Sequence, residues 1–206
     1  MKAMWQKNRV IILLVAAIAI LLTIGIVRGI RNNPFAGVKD SGSPAFTAQK
    51  SYTIAQAADG SYSVSVKDAQ GNTLFSRKGL TTKPAAETLS DDTVCVVGTG
   101  GDGIMRRWGL LCDVTACRAS EAFGGFLTAK GDNVAYLANL TGGWHVFVRN
   151  AYDESAYLQV TTLEGAVADE NSEVIKSFEM DKENGKLTVV YFTEGNTTKT
   201  ITITLP

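Results

Sequence analysis

The sequence predicts a mainly β protein, in which a single N-terminal transmembrane helix precedes an antiparallel meander domain of propeller-like, stacked blades. A β-sandwich is the alternative architecture. Three observations carry this expectation: an uncharged apolar run from Val10 to Val27, strict apolar-polar alternation in several later segments, and glycine turn signals that recur at regular spacing.

The apolar run comes first. Val10 to Val27 is eighteen residues long and is closed by Arg9 and Arg28. At about 1.5 Å per residue a helix of that length reaches about 27 Å, close to the thickness of bilayer hydrocarbon. Ile, Leu, Val and Ala occur at every helical angle, so the segment lacks the polar stripe of a helix on a soluble core. It is followed by Arg28-Gly29-Ile30-Arg31, which does not fit a signal-peptidase site of small residues. Residues 1–31 therefore read as an uncleaved single-span anchor. Lys2, Lys7 and Arg9 precede the span, while Arg28 and Arg31 follow it. That slight excess places the N-terminus in the cytoplasm and the large domain outside the cell membrane.

Residues 32–50 scatter Pro, Gly, Ser and Asn without apolar periodicity and read as a flexible tether. Residues 51–206 remain for one extracytoplasmic β domain, long enough for its own core.

Within that domain Tyr62, Val64 and Val66 alternate with Ser61, Ser63 and Ser65, and Ile201, Ile203 and Leu205 alternate with threonines. A period of two in β-branched and aromatic residues marks half-buried antiparallel strands. Asp59-Gly60 leads to Gly71-Asn72, Gly131-Asp132 to Gly142-Gly143, and Asn184-Gly185 to Gly195-Asn196, with glycine spacings of 11, 11 and 10. Such pairs supply the positive φ of tight hairpins, so each interval encloses one strand of a three-stranded meander. At about 40 to 45 residues per blade, the domain has room for three or four.

Charge excludes one class of function. The whole chain is formally neutral, but from Lys50 onward 14 Lys and Arg face 19 Asp and Glu, a net charge of −5. Nucleic-acid binding needs a basic footprint and is not expected.

The remaining motifs are sparse. Residues 98–103, GTGGDG, match a dinucleotide-binding glycine pattern, yet a strand-like segment follows where that fold needs a helix. His145 is the only histidine, which rules out a two-histidine metal site, and no Gly-x-Ser-x-Gly elbow hosts a nucleophile. No metal site and no cofactor are expected. Cys112 and Cys117 bracket a four-residue loop, which makes them a disulfide candidate against the alternative of free buried thiols. Asp153-Glu154 and Asp169-Glu170 offer carboxylates in loops. Arg106, Arg107 and Trp108 form the one local cluster with the composition of a binding hot spot, although Trp108 is equally read as core covered by arginine stems.

Residues 106–137, together with WHVFVRNAYDES (residues 144–155) and VVYFTEGNTTKTITITL (residues 189–205), resemble membrane-anchored or secreted β-rich domains of bacteria. The resemblance implies an extracytoplasmic bacterial protein and carries over no functional residue. The expected function is non-catalytic, the binding of a protein or envelope component by a membrane-held β domain. The alternative is an envelope glycan hydrolase using loop carboxylates.

Overall fold

A computed structural model describes Ala48 and residues 51–156, 158–169 and 171–206. The expected anchor, and the expected tether apart from Ala48, lie outside the described residues. Among the described residues no helix is long and apolar enough to cross a membrane.

The described chain is mainly β, and every strand pairing in it is antiparallel. Sheet one holds β1 (Tyr52–Gln56), β2 (Tyr62–Lys67) and β3 (Thr73–Leu80) in chain order. Sheet two follows with β4 (Ala85–Thr88), β5 (Thr93–Thr99), β6 (Arg107–Asp113) and β7 (Arg118–Ala119), and β8 (Phe123–Gly124) also pairs with β6. Sheet three is β9 (Phe126–Lys130), β10 (Asn133–Leu140), β11 (Gly143–Asn150) and β12 (Leu158–Thr162). Sheet four is β13 (Ile175–Asp181), β14 (Lys186–Thr193) and β15 (Thr197–Thr204).

The turn signals fall where the sequence places them. Gly60, Gly71, Gly131, Gly142, Gly185 and Gly195 all have positive φ and sit at the hairpin turns of sheets one, three and four. Sheet two departs from that regular spacing. Its β4–β5 turn uses Ser90-Asp91-Asp92, where Leu89 N–H donates to the Thr93 carbonyl at 2.9 Å, and its β5–β6 connection is the glycine-rich loop.

Three apolar cores lie between successive sheets. Val64 and Val66 of sheet one meet Val94, Val96, Leu110 and Cys112 of sheet two. The opposite face of sheet two brings Cys95 and Leu111 against Phe126, Ala129 and Val134 of sheet three. The other face of sheet three sets Leu137, Val146 and Val148 against Leu187, Val189 and Ile203 of sheet four. Sheets two and three are thus apolar on both faces. Sheet four turns Thr198, Thr200, Thr202 and Thr204 outward, all exposed.

Candidate functional site

The three hot-spot candidates do not converge. Arg106 lies in a single helical turn before β6, exposed, with its side chain over Gly101. Trp108 is buried between sheets one and two, where its ring occupies the space a Cβ on Gly98 would take. The Phe75 ring lies 6.0 Å away and the Arg77 guanidinium stacks 4.6 Å from the Trp108 ring centre. Arg107 points to the other face of β6, half-buried. It donates from Nη2 to the Leu127 carbonyl at 3.3 Å and stacks over Phe126 and Phe178 at 5.9 and 5.2 Å. Burial lowers its pKa. Trp108 and Arg107 join sheets together and form no shared surface.

The cysteines are free, Cys95 and Cys112 buried and Cys117 exposed. Asp113 pairs with Arg118 to close the β6–β7 turn, so Cys112 sits opposite Ala119 and Cys117 ends the turn with φ 54°. The turn is set by Asp113, whose carboxylate accepts the Thr115 and Ala116 N–H groups at 3.1 and 2.8 Å and binds Arg118 at 3.3 Å. Sequence spacing treats residues 113–116 as the loop, whereas this carboxylate cap shifts the loop by one residue.

In the glycine-rich loop the Glu173 carboxylate accepts the Ile104 N–H at 2.9 Å and fills the space beside Gly103, where an incoming anion would have to sit. The loop carboxylates serve turns. Asp153 accepts from Ser155, and Asp169 accepts the Asn171 and Glu173 N–H groups at 2.9 and 2.7 Å. Glu170 lies outside the described residues. Among the described residues no group of three His, Cys, Asp or Glu side chains could hold a metal ion.

A surface that sequence reading does not single out lies on sheet three. On the face turned toward sheet two, cross-strand register lines up Val134, Arg149 and Leu158 in one row, Tyr136, Phe147 and Val160 in the next, and Ala138, His145 and Thr162 in a third. Leu140 ends the same face of β10. Sheet two covers this face at β9 and β10 and, through Phe123, at Arg149 of β11, whereas Leu158, Val160 and Thr162 of β12 stay exposed. Leu140, Leu158 and Val160 are 52, 57 and 48% exposed, large values for apolar side chains. Phe123, Tyr136 and Phe147 form an aromatic row that leads to Val160, with centroids 5.3 Å apart at each step. His145 Nδ1 lies 3.1 Å from Thr162 Oγ1 and its ring meets Phe147 edge-on.

At one end of this face a cleft of about 500 Å³ opens between Arg118, Glu121, Arg149, Tyr152 and Glu154. Arg149 is its hub. Its guanidinium stacks 4.9 Å from the Phe123 ring, binds Glu121 at 2.7 Å and pairs with Glu154. Arg149 thus answers two carboxylates that are 62 and 70% exposed, and Arg118 answers Asp113 and Asp132, so four carboxylates face two cations at this end. Arg118 lies 3.9 Å over the Tyr152 ring. Burial, and then the Asp132 carboxylate, raises the Tyr152 pKa, and its hydroxyl has no hydrogen-bond partner among the described residues. The sequence signal for the surface is the uncharged stretch LQVTT following strands rich in aromatics, but alternation alone does not say which half of a face a neighbouring sheet leaves open.

Comparison with protein-family models finds none that matches, and comparison with curated proteins finds no match either; the reading of this chain rests on the geometry just described.

Proposed function

We propose that the chain is a non-catalytic binding protein, whose β domain presents the open part of sheet three to a protein partner at the cell envelope. The observation that supports it is the exposure of Leu158 and Val160 next to each other on one sheet face beside an aromatic row, with an Arg-carboxylate cleft at its end. Exposed apolar residues grouped in this way, with a polar rim, are the pattern of an interaction site. The four sequence-consecutive meanders, packed face to face in chain order, support a propeller-like arrangement of blades. In this proposal residues 1–31 form the single membrane span that holds the domain outside the cell.

The test is photocrosslinking in intact cells from a probe placed at Val160, with a second probe at Thr202 on the outward face of sheet four as control. A reproducible protein adduct is expected from position 160 alone, and its loss on Leu158→Glu. Absence of any reproducible adduct overturns the reading. Release of the protein from membranes by a mild buffer wash overturns the proposed anchoring.

A further inference from the structure

We infer that β12 is a strand-addition site, which takes an extended partner segment with apolar residues at alternate positions and basic residues at the end that lies beside Leu158. The inference rests on the protein-binding reading and adds to it the conformation and charge of what is bound.

The backbone provides the first argument. The Leu163 N–H donates to the Trp144 carbonyl at 2.9 Å, which makes Leu163 and Trp144 a hydrogen-bonded pair just beyond the end of β12. In an antiparallel ladder such pairs alternate with pairs that do not bond. Thr161 and Gln159 therefore turn their main-chain groups toward β11, opposite Val146 and Val148. Leu158, Val160 and Thr162 turn theirs away from it, along the edge of the sheet. No described strand pairs with that edge. The same three residues, with their side chains on the open face, thus present unpaired main-chain donors and acceptors to an incoming strand.

The second argument is that the edge is undefended. Soluble proteins blunt free edges with lysine, proline or an inward charge. The edge strands β3, β9, β13 and β15 carry Lys78, Lys130, Lys176 and Lys199. β1 is uncharged, but it packs Tyr52 and Ile54 against the core between sheets one and two. β12, Leu-Gln-Val-Thr-Thr, has neither charge nor proline and keeps Leu158 and Val160 exposed. Strand addition uses the row of main-chain groups for affinity and alternate side chains for specificity.

Charge selects the occupant. Glu121 and Glu154 share Arg149 and remain mostly exposed at the Leu158 end, Asp153 is exposed beside them, and the chain from Lys50 onward is net −5. A second copy of this acidic chain would set like charges together. Alternate residues of an added strand point to opposite faces, and the rim shares the face of Leu158 and Val160, so a segment whose apolar row is continued past Leu158 by basic residues meets the rim with opposite charge.

The experiment uses the full chain in mild-detergent micelles and, as probes, capped nine-residue peptides of alternating valine and threonine flanked at both ends by two lysines (the lysine peptide) or by two glutamates (the glutamate peptide). Binding is read by anisotropy of labelled peptide, and hydrogen exchange is read over residues 158–162. The lysine peptide is expected to saturate, to slow exchange in that segment, and to bind about tenfold more tightly than the glutamate peptide at low salt. Val160→Pro removes one outward N–H while staying apolar and taking no bond from β11, and is expected to weaken binding about fivefold. Val160→Thr keeps the N–H and the β-branch and is expected to bind as the parent does. Equal binding of the two peptides, no saturable binding, or binding unchanged in Val160→Pro overturns strand addition. Should Val160→Pro not fold, unchanged exchange over residues 158–162 of the parent with the lysine peptide overturns it alone. A Val160 crosslink in cells alongside that negative result leaves the protein-binding reading standing without strand addition. Peptide binding with no crosslink in cells supports strand addition and removes the cellular reading.

Discussion

Phe126 occupies the place where a Cβ on Gly109 would stand, and Trp108 does the same at Gly98. Each glycine is thus read from both sides: a strand residue without a side chain, and a large ring that needs its absence. Overpacking at such contacts costs about 1–3 kcal/mol, so Gly109→Ala should lower the unfolding free energy by that amount, read as a lower urea midpoint with an unchanged slope. The cysteines give a second test at this scale. Burial pushes the Cys95 and Cys112 thiols up to about 12; desolvation by its surroundings and then Asp68 also raise Cys117, but Cys117 alone is exposed to reagent. Since only the thiolate reacts, one equivalent of maleimide should label the folded protein at neutral pH, on Cys117, and three should label it in denaturant. Cys117 also holds φ 54°, so Cys117→Gly should leave the fold intact and raise its melting temperature slightly. None of these three features is visible in the sequence, because each depends on which residue of a neighbouring strand or turn lies opposite.

Hairpins were the legible elements. Asp59-Gly60, Gly131-Asp132 and Asn184-Gly185 mark turns whose strands pair as their alternation requires. The fourth sheet to be found, sheet two, lies outside that pattern because an acidic turn and a long loop connect its strands. Arg106 stands apart from Arg107 and Trp108 because the loop tightens into a helical turn before β6 begins. β12 carries the prediction proper to this scale. Amide exchange resolved by residue should alternate, with Thr161 slow and Val160 and Thr162 fast, because only the odd positions face β11. Uniform protection along β12 would show that something already pairs with its edge.

For the domain as a whole, pH stability has two edges of different origin. Ser61, Ser155 and Asn184 hydrogen-bond to the carboxylates of Asp59, Asp153 and Asp181 and hold them below the ordinary aspartate range. A folded pKa below the unfolded one gives stabilisation that is complete above about 4 and lost as pH falls through the folded values. Cys95 and Cys112 act in the opposite direction. Their folded values near 12 exceed the unfolded thiol value of about 8.5, so stability declines as pH rises through that interval. Thermal unfolding followed by circular dichroism should therefore show a plateau between about pH 5 and 8. Mainly β character was readable from alternation and turn chemistry. Which sheets share a core was not, since an apolar face carries no address for the face it meets.

The placement of the three cores has a consequence for how the chain can change over generations. A substitution on β5 or β10 lies in a sheet that serves two cores, whereas one on β2 or β15 lies in a sheet that serves a single core. Sheets one and four can then drift while sheets two and three stay nearly fixed, so descendants of this chain should differ most at its two ends and agree most in its middle.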